Sequence, residues 1–156
     1  MDKTDVIGRE SLTLELKLAA ASLPESIWET YSAFANTCGG LILLGVREYD
    51  DRSIEKVGLP FAREVMEEFL EKVNDPQVVS VNLLGEDDVR IITEGNVDTI
   101  QIRVPRAPRR QKPVYIGGDP FTGTYVRSGE CDLRCERQDV LEMLRNQDQD
   151  GRLPES

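Results

Sequence analysis

The stretch from Glu10 to Glu48 constrains the fold most, because its hydrophobic pattern changes twice within a short length. Alternating residues in ESLTLELK are typical of a strand, and we expect its leucines to face the core and Glu15 and Lys17 to project from the opposite face. An amphipathic segment follows and predicts a helix. The continuous apolar run LILLGV then predicts a strand buried on both faces. The order indicates a strand–helix–strand unit.

Local signals mark the ends of the predicted helix. Ser22 opens the sequence SLPE, which has the spacing of a capping box and predicts a helix start there. Gly39 and Gly40 are expected to end the helix, because a left-handed C-cap favours glycine. Asn36 lies beside these glycines, and we expect its amide to bond to backbone groups left free at the helix end.

The remaining segments complete the predicted fold. IEKVGL (54–59) predicts a short strand that pairs back as a hairpin, and the segment opened by Pro60 predicts a second helix with an acidic polar face. Strands are expected over 78–84, 88–94 and 97–105, then two short strands at PVYIG and GTYVRSG, and a final helix over 136–144. The predicted fold class is α+β: a mixed, mostly antiparallel sheet packed with two main helices and a short C-terminal helix.

Composition restricts the available chemistry and the number of domains. The chain has no histidine, which excludes Ser-His-Asp and Cys-His catalysis and the usual zinc enzymes. Its three cysteines form no regular disulfide framework. We expect a cytoplasmic protein without a membrane segment, because no apolar run is long enough to cross a bilayer. Residues 1–9 are expected to be a lead-in, 10–147 one domain, and 148–156 a polar tail or a linker to a further C-terminal region.

The charge distribution is uneven. The formal net charge of −10 disfavours a polyanionic partner for the molecule as a whole. The segment RVPRAPRRQKP (103–113) nevertheless has no acidic residue, and its prolines predict an exposed loop. Clustered cations on a stiff loop are suited to phosphates, although the loop could instead pair with carboxylates elsewhere. The candidate nucleic-acid-binding residues are Lys17, Arg103, Arg106, Arg109, Arg110, Lys112 and Arg127.

Several motifs of the chain resemble the AlbA_2 family, also called the Schlafen AlbA-type domain. They are Glu-x-x-x-x-Glu-x-Lys, AFANTCGG followed by an apolar strand ending in GVRE, and the later PVYIGG and TYVRSGECDLRCERQDVLEML. The resemblance covers residues 8–147. This family is found in bacterial transcriptional regulators and in the Schlafen proteins, and the resemblance implies its fold and the binding of DNA.

The resemblance also implies a possible catalytic site. In RNA-cleaving Schlafen proteins, two glutamates at this spacing and an acid after the second strand form a metal-dependent nuclease site. The corresponding residues, both catalytic and metal-binding, are Glu10, Glu15 and Glu48, although those nucleases have aspartate at the last position. Such carboxylates hold Mg²⁺ or Mn²⁺, which activates water against a phosphodiester. The alternative is a surface ion pair between Glu15 and Lys17.

The sequence therefore predicts a binding module rather than an enzyme. We expect the nucleic-acid-binding domain of a bacterial transcriptional regulator, with DNA favoured over RNA, no cofactor, and a homodimer as a possible assembly. The first alternative is the metal-dependent nuclease. The second is a protein-interaction module that uses the acidic face of the second helix.

Overall fold

The computed structural model describes residues 13–18 and 22–152, with side chains described as far as Gln147. Glu10 and the other predictions for 1–12, 19–21 and 153–156 lie outside these residues. The strands are β1 (Leu14–Lys17), β2 (Gly40–Leu44), β3 (Val46–Glu48), β4 (Ile54–Lys56), β5 (Val89–Glu94), β6 (Val97–Val104), β7 (Tyr125–Ser128) and β8 (Cys131–Arg134). The helices are α1 (Ile27–Asn36), α2 (Ala62–Val73), α3 (Pro120–Gly123) and α4 (Arg137–Arg152).

The main sheet is mixed and mostly antiparallel, which confirms the predicted fold class. Its strand order is β1-β2-β6-β5. β1 runs parallel to β2, whereas β6 is antiparallel to both of its neighbours. β3 and β4 form a separate antiparallel hairpin, as the sequence predicted, and β7 pairs with β8.

The principal core lies between the sheet and the helices α1 and α2. Ile27, Tyr31 and Phe34 of α1 are fully buried in the same cluster as Ile42 of β2 and Phe69 of α2. The rings of Trp28 and Phe69 stack with a centroid separation of 5.1 Å, which joins the two helices. This burial fixes α1 across the sheet, so residues at its two ends are held in defined places.

The sheet has a second, smaller apolar cluster on its other face. Leu14 and Leu16 pack there with Leu43 and Val46. Glu15 lies opposite Ile42 in the register of β1 and β2, so its side chain shares the face covered by α1. The prediction that Glu15 projects away from the core is therefore wrong. Because both faces of β2 are apolar, the leucines of β1 pack against Leu43 on the face away from α1.

The boundaries of α1 differ from the prediction at one end. The helix begins at Ile27, and its N-cap Ser26 makes no side-chain capping bond, so the predicted start at Ser22 is wrong. At the other end, Gly39 has a φ of +73° and its N–H donates to the carbonyl of Phe34 at 2.7 Å, which confirms its role at the helix end. Gly40 instead begins β2.

The strands predicted at 78–84 and PVYIG are reduced to isolated bridges. Val79 bridges to Ile116, and Tyr115 bridges to Thr124. The Tyr31 hydroxyl donates to the carbonyl of Val81 at 3.0 Å and accepts from the N–H of Leu83 at 2.8 Å. A side chain therefore satisfies backbone groups that a strand partner would otherwise bond.

Two further segments depart from the sequence prediction. β8 was not predicted, and it pairs with the predicted strand around Tyr125. α4 continues to Arg152, through part of the segment expected to be a polar tail. Within the described ranges, no helix combines the length and apolar character needed to span a membrane.

Candidate nucleic-acid interface

The basic segment, which comprises residues 103–113, is hydrogen-bonded to the last turn of α1. The N–H of Ala107 donates to the carbonyl of Ala35 at 2.8 Å, and the N–H of Val114 donates to the side-chain oxygen of Asn36 at 2.9 Å. The Asn36 amide also donates to the carbonyls of Val114 and Tyr125, both at 2.9 Å. Asn36 therefore has the structural role that was predicted, but its backbone partners belong to Val114 and Tyr125 and not to the end of the helix. The bonds hold Ala107, within the basic segment, and Val114, directly after it, against α1.

The middle of the basic segment is supported by the C-terminal helix. Residues Arg109–Gln111 form one turn of 3-10 helix. The amide of Gln147 in α4 donates to the carbonyl of Lys112 at 3.2 Å. A cleft of about 520 Å³ lies between this segment and α4. We name it the cationic cleft; its lining residues are Arg106, Ala107, Pro108, Arg109, Lys112, Met143 and Asn146.

The cations of the cationic cleft are not neutralised by the described side chains. Arg106 and Arg109 are exposed, Lys112 is half-buried, and none of the three forms an ion pair with a side chain in the described part of the chain. Burial, together with the positive charges of Arg106 and Arg109, lowers the pKa of Lys112. The three cations therefore repel one another, and a bound anion would relieve that repulsion.

The other cations proposed for binding are placed elsewhere. Arg103 and Arg110 are exposed but do not line the cleft, and Arg103 lies opposite Leu41 on the sheet face away from α1. Lys17 donates to the Ser26 hydroxyl at 2.9 Å and lies 3.5 Å from the Glu15 carboxylate. Ser26 is the N-cap of α1, a helix of 10 residues. Lys17 therefore lies at the N-terminal end of α1, whereas the basic segment is bonded near its C-terminal end, and the helix between them is about 15 Å long.

Arg127 does not lie on the surface, which corrects the prediction that it joins the exposed basic loop. Its side chain is 0% exposed. One guanidinium nitrogen donates to Glu15 at 2.8 Å and to Asp132 at 2.7 Å, and the other donates to the carbonyl of Leu14 at 3.1 Å. The guanidinium also lies over the ring of Phe34, 5.0 Å from its centroid. These partners draw Arg127 inward and leave it unavailable to a phosphate.

The buried ion pairs of Arg127 join four elements. Glu15 belongs to β1, Arg127 to β7 and Asp132 to β8. Thr30 of α1 donates to the second oxygen of Asp132 at 2.5 Å. The loss of one charged member would leave a buried charge without its partner. The cluster is therefore a structural connection between the β7–β8 hairpin and the main sheet.

The predicted carboxylate site is only partly described. Both oxygens of Glu15 face cations, one bonded to Arg127 and the other 3.5 Å from Lys17. Within residues 13–18 and 22–147, no group of three acidic, histidine or cysteine side chains is arranged to hold a metal ion. Glu48 ends β3, and one of its carboxylate oxygens is buried without a hydrogen-bond partner among the described residues. Both oxygens of Glu15 are therefore engaged by cations, and the three-carboxylate metal site, which includes Glu10 outside the described residues, stays a prediction.

Some residues of the cleft were missed by sequence reasoning. Met143 and Asn146 come from α4, one turn apart on the same face. The sequence placed a helix over most of this region but gave no sign that it packs against the basic segment. The sequence does show that Met143 and Asn146 have helical spacing. Ordinary surface residues of a helix have the same spacing, so it did not identify a site.

The fold and the cationic cleft define a small α+β domain with one surface suited to anions. The family model described as "Schlafen, AlbA_2" matches residues 10–136. The chain belongs to this family.

A solved structure has a similar fold. The solution NMR structure of the N-terminal domain of a protein described as related to the ATP-dependent DNA helicase RecG, from Nitrosomonas europaea, is 30% identical to this chain with a TM-score of 0.59. The match covers 86% of this chain and 89% of that domain. Among curated proteins, no sequence gives a significant match.

Proposed function

We propose that the chain is a nucleic-acid-binding module that contacts phosphates through the cationic cleft. The observation that carries the proposal is the set Arg106, Arg109 and Lys112, which converge on one cleft without ion-pair partners among the described side chains. A chain with a net charge of −10 repels polyanions over most of its surface. Unpaired cations gathered at one place give a polyanion a defined point of attachment.

DNA is the partner that we propose for this cleft. The matched domain belongs to a protein described as related to a DNA helicase. The AlbA_2 resemblance adds the proposal that the chain serves a bacterial transcriptional regulator. Phosphate contacts position a protein without reading sequence, so the cationic cleft explains affinity rather than operator choice. A homodimer stays a prediction, to be checked by light scattering.

The proposal is tested by fluorescence anisotropy with labelled DNA and RNA at low salt. The variant Arg106→Gln/Arg109→Gln/Lys112→Gln, which we name the cleft variant, is expected to weaken binding at least about tenfold, because charged hydrogen bonds to phosphate are lost. The control Arg90→Gln removes one exposed arginine from β5, outside the cleft, and is expected to bind as the wild type does. Equal binding by the wild type and the cleft variant would contradict the proposal.

The metal-dependent nuclease is a second candidate, favoured by one observation. The buried oxygen of Glu48 that lacks a hydrogen-bond partner among the described residues is a group that a bound cation would satisfy. The ion pairs of Glu15 oppose this function. A cleavage assay on structured RNA and single-stranded DNA with Mn²⁺ separates the two: turnover that is abolished by Glu48→Gln would establish the nuclease.

The acidic face of α2 remains a prediction for protein interaction. Glu64, Glu67 and Glu71 are exposed, and Glu68 pairs with Lys72 at 2.9 Å. If the wild type binds neither DNA nor RNA at low salt, this surface becomes the better candidate for function.

A further inference from the structure

The cationic cleft is lined by two chemically different sets of residues. Arg106, Arg109 and Lys112 contribute positive charge from the basic segment. Met143 of α4 and Pro108 contribute apolar surface. A bare phosphate would use only the cationic set. A ligand that fills the cleft therefore combines an anionic group with a flat or apolar group.

The size and shape of the cleft favour a protruding group over a smooth helix. Its volume of about 520 Å³ is within the range of about 300–1,000 Å³ that is typical of small-molecule pockets. The bases of a duplex are stacked and paired inside it, so a duplex presents mainly phosphates outside its grooves. An unpaired nucleotide offers a phosphate and a free base face together.

Met143 and Asn146, the two lining residues from α4, are suited to a base. The thioether of Met143 is polarizable and makes favourable contacts with aromatic rings. Asn146 is half-buried, and its side-chain amide makes no hydrogen bond to any other described residue. An amide offers a donor and an acceptor, the pair that hydrogen bonds to a base edge require.

Resting on the proposed function, we infer that the cationic cleft binds one unpaired nucleotide of a single strand. Arg106, Arg109 and Lys112 hold its phosphate, Met143 and Pro108 contact its base, and Asn146 bonds to the base edge. The domain accordingly binds single-stranded nucleic acid in preference to duplex.

The test uses fluorescence anisotropy on a short labelled single strand and on the blunt duplex of the same sequence. The wild type is expected to bind the single strand more tightly. Met143→Ala and Asn146→Ala are each expected to weaken single-strand binding about two- to tenfold, as the loss of one sulfur–aromatic contact or one neutral hydrogen bond would, and to leave duplex binding unchanged. Met143→Leu keeps an apolar wall and is expected to retain binding. Thermal melts followed by circular dichroism establish that each variant is folded.

Separate outcomes overturn the inference and the proposed function. If both alanine variants bind the single strand as the wild type does, or weaken single strand and duplex equally, the inference is wrong while phosphate binding stands. If thymidine monophosphate competes as tightly as the strand, the cleft is a site for free nucleotides instead. If the wild type binds no nucleic acid, both the inference and the proposed function fail.

Discussion

At the scale of single residues, Arg127 is the group whose loss should cost the most stability. Its guanidinium is bonded to Glu15 and Asp132 with a side chain that is 0% exposed. Arg127→Met would leave Glu15 with Lys17 alone and the partly buried carboxylate of Asp132 without its cation, so we expect the free energy of unfolding to fall by about 3–5 kcal/mol. Urea denaturation measures the change. The exposed control Arg90→Met is expected to alter stability by less than about 0.5 kcal/mol, and a similar small change at Arg127 would contradict the structural role.

Tyr31 gives the residue-scale prediction on pH. Burial raises the pKa of its phenol from 10.0 to about 12. The folded state favours the neutral phenol, so this contribution to stability is complete below pH 10 and is lost as the pH rises from 10 towards about 12. Tyr31→Phe has no proton to lose. The stability advantage of the wild type over this variant should therefore shrink across that range.

Alkaline titration measures this difference directly. Burial also raises the pKa of Cys135 to about 11, so stability alone reports more than one group. Phenolate absorbance isolates the tyrosines, and one of the 4 tyrosines is expected to ionise later than the others in the wild type. A constant stability difference between wild type and Tyr31→Phe from pH 10 to about 12 would show that the phenol is not protected.

At the scale of elements, the contact between α1 and β2 depends on a small residue. A Cβ atom added at Gly40 would lie 2.6 Å from the ring of Phe34, whereas one added at Gly85 would meet only a carboxylate oxygen of Asp88 at 3.7 Å. Gly40→Ala is expected to lower the free energy of unfolding by about 1–3 kcal/mol through overpacking. Gly85→Ala is the matched control and should be nearly neutral in thermal denaturation. Equal melting temperatures for the two variants would mean that α1 can shift from β2 without cost.

Local pattern predicted the elements of the fold better than their connections. The apolar run of β2 and the glycine at position 39 act within a few residues, so the sequence shows them directly. Arg127 and Glu15 are separated by 112 positions, and no local pattern indicates that they pair. The strand expected at 78–84 failed for a similar reason, because Tyr31, from a distant helix, bonds to its backbone.

The sequence likewise predicted the local composition of the candidate site but not which residues come together in it. The composition of residues 103–113 indicated an exposed basic segment, and the structure places Arg106 and Arg109 there on the surface. The sequence did not indicate which cations share a cleft, because that depends on how α1 and α4 hold the segment. Met143 and Asn146 became candidates only once α4 was seen beside Lys112.

At the scale of the whole molecule, the proposed function depends on the segregation of charge. The protein carries a net charge of −10, yet described carboxylates are paired with Lys17, Lys56, Lys72 and Arg127 rather than with the cations of the cleft. A polyanion that binds there must release counterions from its phosphates. Its affinity should fall steeply as salt is added.

The salt dependence of single-strand binding tests this account most directly. The slope of log affinity against log salt concentration reports the number of phosphates that the protein neutralises. We predict that the cleft variant has a slope shallower than that of the wild type by about 2 to 3, while Arg90→Gln leaves the slope unchanged. Identical slopes for the wild type and the cleft variant would contradict the assignment of phosphate binding to Arg106, Arg109 and Lys112.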